Sequence, residues 1–224
     1  MRKGFTFIEI SFVVVIIGIL IGGMVFGSEL VKTSRLQGII VESQDYIRKV
    51  REFNDKYGYY PGDMPNASSF WDVDAATLGE HNGNGDGVVD DLITAPEPDA
   101  YERFMFWQHL NKAGYIDDTM SGAGSSVSVG VNVPESNYPK GIYDIAPSTG
   151  DYMILQSSGT NSQLLEPQAA FYIDDKMDDG IATTGLVHGF GDGGSLNCYL
   201  TTVYEIASTD VECYLGFYIF DVEG

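Results

Sequence analysis

The chain has 224 residues, 12 Lys and Arg against 32 Asp and Glu, a formal net charge of −20 and a pI near 4.2. A surface this acidic repels phosphate backbones, so direct nucleic acid binding is not expected without a partner that supplies cations. Two cysteines are too few for a disulfide-dense scaffold, and a 44% hydrophobic content is enough for a packed core.

Residues 1–27 read MRKGFTFIEISFVVVIIGILIGGMVFG: a short basic leader, a Gly-Phe junction, one carboxylate and an otherwise uncharged apolar run. From Phe5 to Gly27 the run is long enough for a helix of about 34 Å, which spans a bilayer. Arg2 and Lys3 hold the N-terminal end in the cytoplasm and send the rest of the chain to the far side. A cleaved secretory signal has its processing site after the apolar region, whereas here the plausible point, between Gly4 and Phe5, precedes it. Glu9 is the anomaly, because a carboxylate within an apolar span costs roughly 2–3 kcal/mol at depth unless it is paired. Cleavage at Gly4 would expose an amine on Phe5 one helical turn away, able to neutralise Glu9 within a chain or between staggered chains.

The stretch Lys3-Gly-Phe-Thr-Phe-Ile-Glu9, with its long apolar continuation, resembles the class III leader and N-terminal helix of the type IV pilin superfamily. That family includes type IV pilins and the pseudopilins of type II secretion. The resemblance covers roughly the first 57 residues and implies a prepilin whose leader, residues 1–4, is removed by a prepilin peptidase after Gly4. It further implies methylation of the new amine on Phe5, recruitment through Glu9 at an inner-membrane assembly platform, and polymerisation with further copies into a pilus (fimbrium) on the cell surface. One departure is the absence of any proline before Pro61, where many pilins carry one in the second half of the membrane helix. Gly18, Gly22, Gly23 and Gly27 are the positions that would loosen that helix or let it pack closely. A secretion pseudopilin or a minor pilin is the alternative within the family. A membrane-anchored, calcium-dependent adhesin or binding module that never polymerises is the alternative outside it, and no enzyme activity is expected.

Past the span, Leu36, Ile40, Ile47, Val50, Phe53 and Tyr57 recur at helical spacing, so one helix is expected from Phe5 to about Tyr57, its first half, 5–27, in lipid or in a filament core. Charge divides the chain at the same place. Residues 1–57 carry eight Lys and Arg against six Asp and Glu, whereas residues 58–224 carry four against 26. Residues 58–224 should form one acidic domain outside the membrane. Tyr101–Lys112 suggests a second, shorter amphipathic helix. Aromatic and β-branched runs predict strands at Tyr152–Gln156, Ala169–Ile173, Cys198–Val203 and Tyr214–Phe220, with long loops at 121–137 and 185–197. The expected fold class is α+β, a long helix laid on an antiparallel sheet.

In an oxidising compartment Cys198 and Cys213 read as a disulfide rather than as free thiols, and the family resemblance supports a C-terminal staple of this kind. Two acidic clusters are candidate calcium sites. His81–Asp91 resembles an EF-hand or dockerin loop, with Asn82, Asn84 and Asp86 at alternate positions, Val88 at the carbonyl position, Val89 turned inward and Asp90 or Asp91 closing the shell. It departs from the pattern where Asn82 replaces an Asp and Ile93 replaces the bidentate Glu, and a hydrated turn is the other reading. The second cluster, Asp174, Asp175, Asp178 and Asp179, packs four like charges into six residues; it is either a metal site or a structural Asp-Asp-Gly turn. His81, His109 and His188 show no metal-ligand spacing. The glycine-rich Gly189–Gly194 has an acidic centre unsuited to phosphate.

Overall fold

The computed structural model describes residues 6–71, 82–89, 101–124, 126–146, 152–159, 161–191 and 198–220. Helix α1 runs unbroken over Phe7–Tyr57, capped at its start by Thr6 and ended by Gly58. Gly58 sits at φ 75° and donates its amide to Asn54 O at 2.7 Å, a left-handed stop that glycine adopts at little cost. It is the one helix among the described residues that is long and apolar enough to cross a membrane.

Four further pieces build the domain around the second half of α1. They are helix α2 (Glu102–Lys112), helix α3 (Pro167–Met177), a four-stranded antiparallel sheet and a small two-stranded ribbon. The sheet runs β1 (Gly141–Ile145), β2 (Tyr152–Ser157), β6 (Tyr214–Tyr218) and β3 (Val187–Phe190) from edge to edge; β4 (Tyr199–Leu200) and β5 (Val203–Tyr204) make the ribbon. Register is pinned by pairs such as Tyr143 with Leu155, Met153 with Phe217, and Val187 with Phe217. The architecture is α+β, as the sequence led us to expect.

The face that α1 buries is narrower and better centred than the expected stripe. Leu36, Ile39, Ser43, Tyr46, Val50 and Phe53 are buried at alternating three- and four-residue steps, while Ile40, Ile47 and Tyr57 flank that line half-buried. Ser43 belongs to the seam because its hydroxyl lies 3.1 Å from the buried Tyr143 hydroxyl, which satisfies both polar groups. Tyr46 meets Trp107 and Tyr143 edge-on at 5.2 and 5.1 Å. Trp107, Phe104 and Phe106 from α2, with Phe217 from β6, complete the centre of the core.

Three sequence expectations change. Ala169–Ile173 lies in helix α3, not in a strand. Pro167 opens that helix, and Ala169, Ala170 and Ile173 bury one helical face, a period that five residues cannot reveal. Cys198–Val203 divides into the two ribbon strands around Thr201, which adopts φ 61°. Within the expected loop at 185–197, Val187–Phe190 pairs with β6 despite its glycine. Strand β1 went unforeseen because Asp144 interrupts its apolar pattern; that carboxylate is buried 3.5 Å from Arg103.

Candidate functional site

Two regions carry the chemistry singled out in the sequence, the apolar end of α1 and the turn after α3. At the first, the apolar side chains from Phe7 to Met24, and Phe26, are exposed around the helix, Phe7 at 89% and Met24 at 78%. Gly18, Gly22, Gly23 and Gly27 have open space where a side chain would project. Nothing else in the described chain covers this surface, which is apolar on every side instead of along one stripe. A helix of that kind belongs in lipid or among other apolar helices.

Glu9 is not left as a bare carboxylate. Its Oε2 accepts from the Thr6 amide at 2.7 Å and the Thr6 hydroxyl at 2.8 Å, while its own amide donates to Thr6 Oγ1 at 3.3 Å. Thr6 and Glu9 thus form a reciprocal capping box, and the negative charge sits where the helix dipole favours it. Thr6 was not singled out in the sequence, although Thr-x-x-Glu before an apolar run is the signature that could have identified it. Gly4 and Phe5, the processing residues, lie outside the described residues.

The second region begins in the last turns of α3. Asp174, Asp178 and Asp179 bring carboxylate oxygens within 4.8 Å of one another and could hold a metal ion. Three hard oxygen donors suit a divalent cation of the calcium or magnesium class. Asp175 stays outside the trio, exposed and paired with Lys176 at 2.8 Å.

Each member of the trio also accepts protein donors. Asp174, fully buried, takes the Tyr204 hydroxyl at 2.8 Å and the Gly180 amide at 3.1 Å. Asp178 accepts the amides of Leu186 and Val187; Asp179 accepts the Ile181 amide at 2.8 Å and the Thr184 hydroxyl at 2.7 Å. Gly185, at φ 82°, leaves no room for a side chain against the Asp178 carboxylate. Burial pushes the Asp174 carboxyl up to about 6, with a smaller push from Asp179 and Asp178, against the lowering effect of its two hydrogen bonds. Asp179 is held below its ordinary range, chiefly by Thr184 and then by the Ile181 amide. The trio therefore tethers residues 180–187 to α3 and the ribbon.

The other acidic loop is arranged differently. Asn82 Oδ1 accepts from the Ser68 amide at 2.8 Å, and Asn84 and Asp86 are hydrogen-bonded to each other. Val88 donates its amide to Asp86 Oδ1 at 2.9 Å, and Val89 is buried as expected. Asp90 and Asp91 lie outside the described residues. The acceptors that organise the loop come from elsewhere. Buried Asp63 takes the Gly85 and Gly87 amides at 2.7 and 3.1 Å, and buried Glu102 takes the Asn84 amide at 2.7 Å. Burial raises the Asp63 carboxyl above its ordinary value, while those two amides oppose the shift. Neither carboxylate was identified in the sequence, and their distance along the chain gives no signal.

Cys198 and Cys213 are joined by a disulfide across 15 positions, linking the start of the ribbon to the residue before β6. The long apolar helix on an antiparallel sheet is compatible with a pilin-like layout. Comparison with protein families, with curated proteins and with solved structures finds no match.

Proposed function

We propose that the chain is a structural subunit of a type IV pilus-like filament. It is made as a membrane precursor, cut after Gly4 by a prepilin peptidase, methylated on Phe5 and packed with further copies through α1 at an assembly platform. The observation that carries the reading is the combination in α1 of an uncovered apolar surface from Phe7 to Phe26 and, within that stretch, a single carboxylate, Glu9, at the first turn. A plain anchor needs the first and gains from the second no more than a helix cap, which Thr6 alone can supply in part. In the precursor, Thr6 satisfies Glu9; after cleavage the Phe5 amine becomes a competing charged partner, either in the same chain or in a neighbour. Switching that partner couples processing to assembly.

The acidic domain would coat the filament, with the Cys198–Cys213 bond locking its C-terminal segment. Calcium at Asp174, Asp178 and Asp179 is the finer reading of the acidic trio.

N-terminal peptide mass spectrometry on sheared surface filaments, beside a Glu9→Leu variant, tests the proposal. An N-methylated Phe5 terminus in filaments that the variant does not form is the expected result. An uncleaved chain confined to the membrane fraction, indifferent to Glu9→Leu, would overturn it in favour of the anchored binding module.

A further inference from the structure

Arg35 and Lys140 are the two lysines or arginines without a side-chain hydrogen bond, ion pair or aromatic contact among the described residues. In a chain of net charge −20, cations left unpaired in this way are conspicuous. Both line the same cleft of about 320 Å³, together with Pro139, Ser157, Gln163 and the 53%-exposed Val211.

Lys140 is also held in an unusual backbone state. Tyr138-Pro139-Lys140-Gly141 is a turn closed by the Gly141 amide on Tyr138 O at 2.8 Å, and Lys140, its third residue, adopts φ 66°. That position favours glycine, so a lysine there carries backbone strain that no side-chain hydrogen bond, ion pair or aromatic contact among the described residues offsets.

The cleft's place along α1 suggests what fills it. Val31 belongs to the exposed apolar run, and Leu36 is the first buried residue of the helix. Arg35 therefore stands about 6 Å beyond Val31, after Glu29 and Lys32 have ended the uncharged run, at the junction where the helix enters the domain. If the apolar run ending at Gly27 crosses a bilayer, the polar stretch from Ser28 to Arg35 leads out through the headgroups of the outer leaflet.

We infer that the Arg35–Lys140 cleft binds the phosphate of an anionic lipid headgroup while the chain is still in the membrane. The inference rests on the membrane-spanning part of the proposed function and not on polymerisation. It supplies what the acidic domain lacks, a local attraction to an anionic surface that would otherwise repel it, with Val211 and Pro139 placed to meet the apolar edge of the interface.

The test uses the full chain in nanodiscs of phosphatidylcholine with or without phosphatidylglycerol, and follows amide exchange in peptides covering residues 136–142. Exchange should slow with phosphatidylglycerol, and each of Arg35→Gln and Lys140→Gly should weaken apparent lipid affinity roughly five-fold, as expected for one cation near an anionic surface. Lys140→Gly keeps and relaxes the turn, so its loss of protection cannot be put down to misfolding. Equal exchange in the two lipid compositions would overturn the inference. So would protection by inorganic phosphate alone in phosphatidylcholine discs, which would make the cleft a free-anion site. Protection confined to assembled filaments would assign the cleft to a second copy of the chain and equally overturn it. A chain that does not insert, seen as unprotected amides over Phe7–Val31, would overturn both this inference and the membrane reading beneath it.

Discussion

The two halves of α1 have the same backbone and opposite surroundings. From Phe7 to Phe26 exposed apolar side chains lie around the helix and meet nothing else in the described chain; over Leu36–Phe53 a single seam is buried and mostly polar and charged residues take the remaining faces. The difference comes from the distribution of side chains. Continuous hydrophobicity makes a helix whose solvent must come from outside the chain, whereas three-and-four spacing makes one whose solvent is its own domain.

The largest expected effect comes from cutting into the seam. Phe53→Ala removes a fully buried ring and should destabilise the domain by about 3–5 kcal/mol. Phe12→Ala, in the exposed half, should leave domain melting in detergent unchanged. Equal losses from the two substitutions would end the contrast between the halves.

Next comes the disulfide. Replacing both Cys198 and Cys213 by Ser should cost about 3 kcal/mol for a closed loop of this size, measured by denaturant unfolding. The helical signal of the apolar half should persist in micelles when the domain is unfolded.

Asp63→Ala is a smaller change. It strips the Gly85 and Gly87 amides of their acceptor and should cost about 1–3 kcal/mol. A neutral result would mean that residues 82–89 are not held to the domain as described.

The subtlest test concerns pH. The folded Asp174 carboxyl sits near 6 against an ordinary 3.8, so folding favours its protonated form, and stability should fall as pH rises from about 4 to 6. Asp174→Asn should flatten that slope in thermal melts. Millimolar calcium, if the trio takes it, should raise the wild-type melting temperature above pH 6 and do less for the variant. The absence of any calcium shift would leave the trio as a hydrogen-bonding hub alone.

How much of this was legible in the sequence followed the range of the interactions. α1 was readable along its length, because the hydrophobic run, the helical period and the absence of proline before Pro61 are all local signals. β2 and β6 were readable as dense aliphatic and aromatic runs. α3 was not, since Ala-Ala-Phe-Tyr-Ile looks the same for a strand as for a short buried helix, and the Pro167 cue lies just outside it. Of the four aspartates in the second cluster, three converge and Asp175 does not. Their spacing identified the cluster but gave no sign of Tyr204, 30 positions away, which approaches only through the ribbon. Asp63 and Glu102 are similar: acceptors for a loop some 20 residues distant, visible only once the chain is folded.

The unbroken course of α1 has a mechanical consequence. Fifty-one residues form one rod with no proline or hinge, ending at Gly58. Tension applied at the apolar end travels along one continuous hydrogen-bond ladder and reaches the domain undiminished at the seam from Leu36 to Phe53. The grip of those few buried side chains, more than the strength of the rod, sets the load at which helix and domain would part.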